Sequence, residues 1–326
     1  MSVPVLLCTS ALLAICALAL LRVRHLFATV ALLSGYSGLF ALHLALLGAP
    51  DVAFTEAVVG AGISTVLLMG LVGRVDPHAV ARRSGLARAG AVVMALALGA
   101  ALLWGAHSLP PFGDPASGSA SHVASEYVRR SVDDMDTPNV VTAVLADYRS
   151  LDTLVETAVV VSAALACLLL RNGVREERQS SYRRRFESRM LRTVLAPLLA
   201  CIFLFSLYVL VHGHYSPGGG FQAGVLLGSG VILRSLVIGS HDSGRAFSRR
   251  GAPVLACCGV LVFVATGLVA WSGASTFLDY AGLPLALPEN LRRSTGILVV
   301  ETGVLIAVSG AMISLYHSLY AQPREP

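Results

Sequence analysis

The feature that most constrains the fold of this chain is a series of apolar segments, each close to the length that crosses a bilayer. A transmembrane helix needs about 20 mainly apolar residues to span a hydrocarbon core of about 30 Å. Hydrophobic residues make up 55% of the 326 positions and charged residues only 13%, which excludes a soluble globular fold. The sequence therefore predicts an all-α polytopic membrane protein with about nine transmembrane helices, near 3–21, 26–47, 52–72, 86–106, 153–170, 191–211, 219–239, 252–272 and 295–317.

The distribution of positive charge predicts how these helices are oriented. All 24 basic residues are arginine, and the chain contains no lysine. With the N-terminus outside, 18 arginines fall on the cytoplasmic side, five fall outside, and Arg234 lies within the seventh predicted span. Cytoplasmic loops are enriched in basic residues, so the topology is predicted to be N-out and C-in. This topology accounts for the net charge of +5, and a nucleic-acid partner is not indicated.

Two segments between the predicted spans differ from the rest. Residues 107–150 are expected outside, as a loop rich in Pro, Gly and Ser followed by a surface helix over the amphipathic stretch NVVTAVLADYRSLDT. Residues 171–192 contain eight arginines and are the best candidate for a domain junction. The first apolar segment lacks a basic region before it and a convincing cleavage site after it, so we expect a retained helix rather than a signal peptide.

Three predicted spans contain a carboxylate, at Glu56, Glu156 and Glu301. An ionised carboxylate in hydrocarbon is unfavourable by several kcal/mol or more unless it is paired, hydrated or protonated. Acids at such positions are therefore candidates for binding protons or cations. Asp51, near the mouth of the third span, belongs to the same group, although a simple helix cap would also explain an acid there.

Each of these positions also has a purely structural interpretation. Glu156 lies near the start of its span, where an interfacial acid in contact with water is expected, and Glu56 and Glu301 could stabilise helix contacts only. His43, in the second span, is either a hydrogen-bonded packing residue or part of a proton path.

The segment HGHYSPGGGFQAG separates the sixth and seventh spans. Its glycines permit positive φ and close backbone approach, as in an ordinary turn. Alternatively, it forms an interrupted entry to the seventh helix, where backbone groups line an aqueous cavity beside histidines that titrate near neutral pH. The candidate residues of this segment are His212, His214, Pro217, Gly218, Gly219 and Gly220.

Four stretches of the sequence resemble one family of membrane complexes. GAPDVAFTEAVVGAG (48–62) and VLADYRSLDTLVETAVV (144–160) resemble units near the C-terminus of the large subunit of Mrp-type multisubunit cation/proton antiporters. GHYSPGGGFQAGVLLGSGVIL (213–233) and TGILVVETGVLIAVSGAMI (295–313) are similar to the four-helix B subunit of the same complexes. Related units occur in energy-converting membrane-bound hydrogenases and their sulfur-reducing relatives, and the first is related to a small membrane subunit of respiratory complex I.

The resemblance implies a fusion of three units in one chain. These are a three-to-four-helix unit (1–106), an extracytoplasmic loop with an amphipathic segment and the fifth helix (107–190), and a four-helix B-like unit (191–326). It also implies that Asp51, Glu56, Glu156 and Glu301 match the membrane acids of the family, in which the last position is commonly aspartate. The principal pump subunits of such complexes use membrane lysines, and their absence here implies an auxiliary cation-path or coupling module.

Three functions are compatible with these features. The first is a subunit of a Na⁺/H⁺-type antiporter in the cytoplasmic membrane of a bacterium or archaeon, working with other subunits and with no cofactor beyond the transported Na⁺ or H⁺. The second is the membrane arm of a hydrogenase-like redox complex, and the third is a stand-alone transporter, against which the lack of a detectable inverted repeat counts. No nucleophile with a base, phosphate loop or metal-ligand spacing indicates an enzyme in this chain.

Overall fold

In the computed structural model of the chain, the residues described are 3–72, 85–111, 113–172, 189–238, 247–273 and 276–320. Over these ranges the secondary structure is helical, with two π-helical stretches at Ala57–Ile63 and Val144–Tyr148. The α-helices are α1 (Val3–Leu20), α2 (Leu26–Leu46), α3 (Pro50–Glu56), α4 (Ser64–Val72), α5 (Gly85–His107), α6 (Gly118–Ser121), α7 (Val123–Met135), α8 (Val140–Ala143), α9 (Ser150–Asn172), α10 (Arg189–His212), α11 (Gly220–Ile238), α12 (Gly251–Trp271) and α13 (Glu289–Tyr320).

The described residues contain eight helices that are long and apolar enough to cross a membrane. One of them is continuous from Pro50 to Val72 and is formed by α3, the first π-helical stretch and α4. A ninth, shorter apolar helix covers Gly220–Leu236. The chain is thus a multi-pass membrane protein of the predicted all-α class, and its N-out, C-in orientation stays a prediction.

Helix α13 forms the centre of the bundle. It is 32 residues long, and 72% of its apolar span is buried against α9, α11, α12 and α7. Small residues make this packing possible: a Cβ at Gly259 of α12 would collide with the backbone of Ala307, and one at Gly310 would lie 2.8 Å from the carbonyl of Ala252. Close backbone approach through small residues is the usual way in which membrane helices associate.

Helix α5 contrasts with α13 in its burial, because none of its 23 residues is buried. Helices α1 to α4 form a smaller group in which α2 packs against α1, α3 and α4. The bundle therefore has a tightly packed part around α13 and a loosely packed part nearer the N-terminus.

The structure differs from the sequence prediction in three places. Helix α7 covers Val123–Met135, where the sequence predicts a loop, and it is strongly amphipathic. The expected surface helix at 139–153 is instead the single turn α8 with the second π-helical stretch, and α9 begins at Ser150. Helix α13 begins at Glu289, two turns before the predicted start, because its charged first turns continue the helix beyond the apolar span. Residues 173–188 of the predicted arginine-rich junction lie outside the described residues.

Candidate functional site

An acid-lined cavity lies where α3, α8, α9, α11 and α13 meet. Its volume is about 230 Å³. We call it the acidic cavity, and its lining residues are Asp51, Val52, Thr55, Val141, Thr142, Leu145, Thr153, Glu156, Thr157, Gly218, Phe221, Gln222, Glu301 and Val304. Three of the four acids singled out from the sequence are thus brought to one cavity, and none of the described residues that line it is basic.

Asp51 is held at the cavity by an asparagine that is distant in the sequence. The side-chain amide nitrogen of Asn139 lies 3.0 Å from Oδ1 of Asp51 and 3.1 and 2.9 Å from the carbonyl oxygens of Gly213 and Ser216. The amide oxygen of Asn139 accepts from the backbone N–H groups of Val141 and Thr142, and so caps α8. Asn139 therefore connects α3, α8 and the turn after α10.

Glu301 is buried in the middle of α13, with 9% of its surface exposed. Its carboxylate accepts a hydrogen bond from the backbone N–H of Gly220, the first residue of α11. The N-terminus of a helix presents free N–H groups and a partial positive charge, so it stabilises a nearby carboxylate. Among the described residues, no arginine or histidine pairs with Glu301.

The glycine segment makes this contact possible. Gly219 adopts a φ of 122°, and a Cβ there would lie 3.1 Å from Oε2 of Glu301. A Cβ at Gly220 would collide with the carbonyl oxygen of Glu301 itself. Gly218 packs its backbone against Gly213, while Pro217 belongs to the same turn. The three glycines therefore let the chain turn directly against α13.

Neutral oxygen-bearing side chains that the sequence did not single out complete the lining. Nε2 of Gln222 donates to Oγ1 of Thr55 over 2.7 Å, which joins α11 to α3. Oγ1 of Thr142 donates to the carbonyl oxygen of Gly213 over 2.7 Å, and Oγ1 of Thr157 donates to that of Thr153 over 2.8 Å. A cap signal before an apolar run could have identified Asn139, and Gln222 lies within the glycine motif itself.

The two remaining glutamates differ in their surroundings. Glu156 lines the acidic cavity from α9 but is exposed on the surface of this chain. Glu56 does not line the cavity: its carboxylate folds over Gly60, toward the hydroxyl of Ser37 on α2. The face shared by Glu56 and Gly60 is therefore the one that α2 approaches, and the structure separates Glu56 from the other three acids.

The three candidate histidines also lie away from the cavity lining. Nδ1 of His43 is 2.7 Å from Oγ1 of Thr9, which links α2 to α1. His212 stacks on Tyr208 with ring centroids 4.6 Å apart, and Nε2 of His214 is 3.2 Å from the carbonyl oxygen of Ser294. These contacts are those of packing residues at helix ends and between helices.

An ion-pair network that the sequence did not reveal lies beside the cavity. Arg293, on the first turns of α13, contacts Asp147 at 3.2 Å, Asp279 at 2.9 Å and Glu289 at 3.3 Å. Burial raises the pKa of Asp147 to about 6, although Arg293 opposes this shift and Asp279 adds to it. Asp147 belongs to the π-helical stretch that follows α8, so the network joins one wall of the cavity to α13.

The acidic cavity is lined by oxygen atoms of different chemistry. Carboxylate oxygens bind protons or hard cations, and hydroxyl and amide oxygens are neutral ligands for hard cations. Within the described parts of the chain, no three His, Cys, Asp or Glu side chains converge closely enough to hold a metal ion. The acids instead lie around the space of the cavity.

Three family models match consecutive parts of this chain. The model for the D subunit of MBH matches residues 11–77, and the model for the E subunit of MBH matches residues 86–185. The model "Domain related to MnhB subunit of Na+/H+ antiporter" matches residues 190–314. Together the three models cover most of the chain.

Curated relatives give a consistent result. The chain is 26% identical over 340 aligned residues to a probable K(+)/H(+) antiporter A/B subunit of Rhizobium meliloti, an alignment that covers 92% of this chain and 33% of the relative. It is 27% identical over 134 residues to the Na(+)/H(+) antiporter B subunit of Bacillus subtilis, covering 40% of this chain and 91% of that protein. The chain thus spans about a third of the length of the A/B relative.

Two solved structures resemble the fold. A chain in the structure of the Mrp complex from Dietzia sp. DQ12-45-1b is 29% identical with a TM-score of 0.77, covering 98% of this chain and 35% of that one. A chain of the membrane-bound sulfane sulfur reductase, an archaeal respiratory membrane complex, is 25% identical with a TM-score of 0.58, covering 72% of this chain and 97% of that one.

Proposed function

We propose that this chain, a homologue of Mrp-type A/B subunits that combines MbhD, MbhE and MnhB domains in one polypeptide, is a membrane subunit of a multisubunit cation/proton antiporter. It acts in the cytoplasmic membrane of a bacterium or archaeon, together with the other subunits of such a complex. The matched relatives are named for K⁺/H⁺ and Na⁺/H⁺ exchange, so the cargo is a monovalent cation and the proton. We assign it no enzymatic activity and no resident cofactor.

The observation that carries this proposal is the acidic cavity. Asp51, Glu156 and Glu301 surround one space within the bundle, and no basic side chain among the described lining residues neutralises them. Carboxylates in such a place must be hydrated, protonated or bound to a cation. A proton and a monovalent cation therefore compete for the same groups, which is the requirement for exchange.

Each part of the lining has a role in this proposal. The backbone N–H of Gly220, at the N-terminus of α11, fixes the position of the Glu301 carboxylate at the cavity without a fixed cation that would compete with the cargo. Gln222 and Thr55 supply neutral oxygens beside it, which replace water around an entering cation. Asn139 holds Asp51 toward the same space.

The proposal is tested by cation-dependent proton exchange in membrane vesicles that contain the whole complex. Glu301→Gln, Glu156→Gln and Asp51→Asn should each reduce the exchange rate, and Glu301→Gln at least about tenfold, because a neutral amide cannot trade a proton for a cation. Asp152→Asn is the matched control, since Asp152 lies one turn from Glu156 on the same helix, outside the cavity lining, and pairs with Arg149 at 2.5 Å. Exchange that is unchanged in all three cavity variants would refute the proposal.

A second candidate function is the membrane arm of a redox-linked complex. Two of the family models carry the names of MBH subunits, and the sulfane sulfur reductase chain is covered over 97% of its length. This candidate predicts that the purified native complex contains redox proteins with bound iron or nickel. Metal analysis and identification of the subunits of the complex distinguish the two candidates, because the antiporter predicts antiporter-type subunits without redox metals.

A further inference from the structure

A fully buried tyrosine packs against α13 between the ion-pair network and Glu301. Tyr280 begins a short 3₁₀ turn, Tyr280–Gly282, that precedes α13, and 0% of its surface is exposed. Its ring lies on Gly296 of α13, where a Cβ would collide with the tyrosine side chain. Gly296 is three residues beyond Arg293 and five residues before Glu301, which is about 5 Å and about 8 Å along the helix axis. The tyrosine is therefore close to both groups.

The segment that carries Tyr280 has an unusual backbone and is tied to the ion-pair network. Leu278 is buried and adopts a φ of 67°, in the left-handed region that bulky residues rarely occupy. Arg293 pairs with Asp279 of this segment at 2.9 Å and also with Asp147 at 3.2 Å. Backbone in sparsely populated conformations is concentrated at functional sites. The segment and the network thus form one unit, with Tyr280 at its buried side.

The hydroxyl group of Tyr280 is buried and makes no full hydrogen bond to any described residue. Such groups are rare, because they lose their bonds to water and gain none in the protein. Burial raises the pKa of the phenol, and the negative charges of Asp147 and Glu301 add to the shift, whereas the nearby hydroxyl of Ser150 opposes it. The phenol is therefore neutral, and it lies within electrostatic reach of both carboxylates.

The packing around Tyr280 continues to the wall of the acidic cavity. Ile297 and Val304 lie four residues before and three residues after Glu301, so they share its face of α13. Both belong to the same core cluster as Tyr280, and Val304 also lines the cavity. The cluster that encloses the tyrosine therefore extends along the Glu301 face of α13.

Asp147 has the properties of a proton donor to this region. Its side chain is only 4% exposed, and burial raises its pKa to about 6. Arg293 opposes this shift, while the negative charges of Asp279 and Asp134 add to it. A carboxyl group with such a pKa takes up and releases protons near neutral pH.

We propose that Tyr280 relays protons between Asp147 and Glu301, with water bridging its hydroxyl to each carboxylate, so that the ion-pair network is a proton entrance to the acidic cavity. In each transfer the phenol accepts a proton from the Asp147 side and releases its own proton toward Glu301. The tyrosine stays neutral, one proton moves, and rotation of the hydroxyl restores the first arrangement. This inference rests on the proposed function, because it requires that Glu301 exchanges protons.

Tyr280→Phe tests the relay, because it removes the hydroxyl and keeps the buried ring. In membrane vesicles that contain the whole complex, cation-dependent proton exchange should fall at least about tenfold, while the cation concentration for half-maximal exchange changes by less than about twofold. Tyr316→Phe is the matched control, since Tyr316 is a buried tyrosine of the same core cluster, 15 residues beyond Glu301. Exchange per assembled complex should stay within about twofold in this control. Undiminished exchange in Tyr280→Phe would overturn the proposal.

Equilibrium measurements separate a relay from a structural role. A relay sets the rate of proton delivery and leaves affinities unchanged, so binding of radioactive sodium to the purified complex, and its displacement by protons, should be the same in Tyr280→Phe as in the wild type. Assembly should also be unchanged, because the hydroxyl that is lost has no full hydrogen bond. Lost binding or lost assembly would show that Tyr280 supports the structure of the site, and would overturn the relay.

The solvent isotope effect reports the relay directly. When proton delivery limits the rate, exchange in Tyr280→Phe should slow in D₂O at least about twofold more than exchange in the wild type. An equal isotope effect in the two proteins would contradict the relay.

A double variant tests whether Asp147 and Tyr280 lie on one route. Asp147→Asn should slow exchange about as much as Tyr280→Phe, and the double variant should be within about twofold of the slower single variant, because one route is interrupted only once. Losses that multiply would place the two groups on separate routes and overturn the proposal. Glu289→Gln is the control for the network, since Glu289 also contacts Arg293, at 3.3 Å, but has an exposed side chain, and exchange should stay within about twofold.

The outcomes also distinguish this inference from the proposed function. Unchanged exchange in Glu301→Gln would contradict the proposed function itself. Exchange that is abolished in Glu301→Gln but intact in Tyr280→Phe would contradict the relay alone.

Discussion

Asn139 offers the most quantitative test of how the site is assembled. Replacing it with alanine removes contacts to the Asp51 carboxylate, to the carbonyl oxygens of Gly213 and Ser216, and to the first amides of α8. An amide nitrogen carries two hydrogens, so it fully satisfies at most two of its three acceptors. One neutral bond contributes about 1 kcal/mol and one bond to a carboxylate about 2 kcal/mol. Loss of the helix cap adds about 1 kcal/mol.

The expected effect of Asn139→Ala is therefore a loss of about 4 kcal/mol in the free energy of unfolding. Equilibrium unfolding of the purified protein in mixed detergent micelles measures it. Asn290→Ala is a suitable control, because the Asn290 side chain makes no hydrogen bond to another described residue, and a change within about 0.5 kcal/mol is expected.

Asn139→Asp separates the two roles of the residue. It keeps the cap but places a second carboxylate about 3.0 Å from Asp51, so its loss of stability should shrink as the pH falls and the pair takes up a proton. An Asn139→Ala effect below about 1 kcal/mol would refute this account of the site.

Three further outcomes are expected. Gly220→Ala should strongly reduce assembly and exchange, because its Cβ would collide with the backbone of Glu301. Gly99→Ala should have no effect on either, because a Cβ there would lie more than 4 Å from every described atom outside the adjoining backbone of its own helix. A tolerated Gly220→Ala would contradict the described contact. Burial raises the pKa of Asp147 from 3.8 to about 6 in the folded chain, so the folded chain holds this proton more tightly than the unfolded one. The free energy of unfolding of the wild type should therefore fall by about 3 kcal/mol, relative to that of Asp147→Asn, as the pH rises from about 3 to about 7. Parallel pH profiles of thermal unfolding for the two proteins would contradict this. His43→Ala should cost about 1 kcal/mol through its lost bond to Thr9 and leave exchange unchanged, and a shifted pH optimum of exchange would instead place His43 on the path.

The helices were predictable because their apolar lengths are set by the bilayer. The span starting at Pro50 and the span Ser150–Leu170 begin within two to three residues of the predicted starts. The start of α13 could not be predicted as well, since Glu289, Arg292 and Arg293 are charged and hydropathy gives no signal for a helix that continues into water. Helix α7 was not predicted for a related reason: its amphipathic period is present in the sequence, but a search for apolar spans does not register a mainly polar helix after a Pro- and Gly-rich loop.

The site was partly predictable because a carboxylate in an apolar segment is unfavourable whatever the fold. That reasoning identified Asp51, Glu156 and Glu301, which the structure places around one cavity, and it also identified Glu56, which the structure places against α2. Hydropathy carries no information on the distance between helices. Neither the grouping of three acids around one cavity nor the separate position of Glu56 could therefore be predicted. Asn139 was not predicted as a site residue, because a polar residue at the start of an expected surface helix carries no desolvation signal, and its role arises from contacts with two distant segments.

Binding of the cation itself tests the central claim most directly. Equilibrium binding of radioactive sodium to the purified native complex should reveal a site that protons displace as the pH falls, with potassium as a competitor to establish the preferred cation. The account predicts that Glu301→Gln abolishes this binding while Asp152→Asn retains it, because only the first removes a charge from the acidic cavity. Binding of the same stoichiometry and pH dependence in Glu301→Gln would contradict the claim that the acidic cavity lies on the cation path.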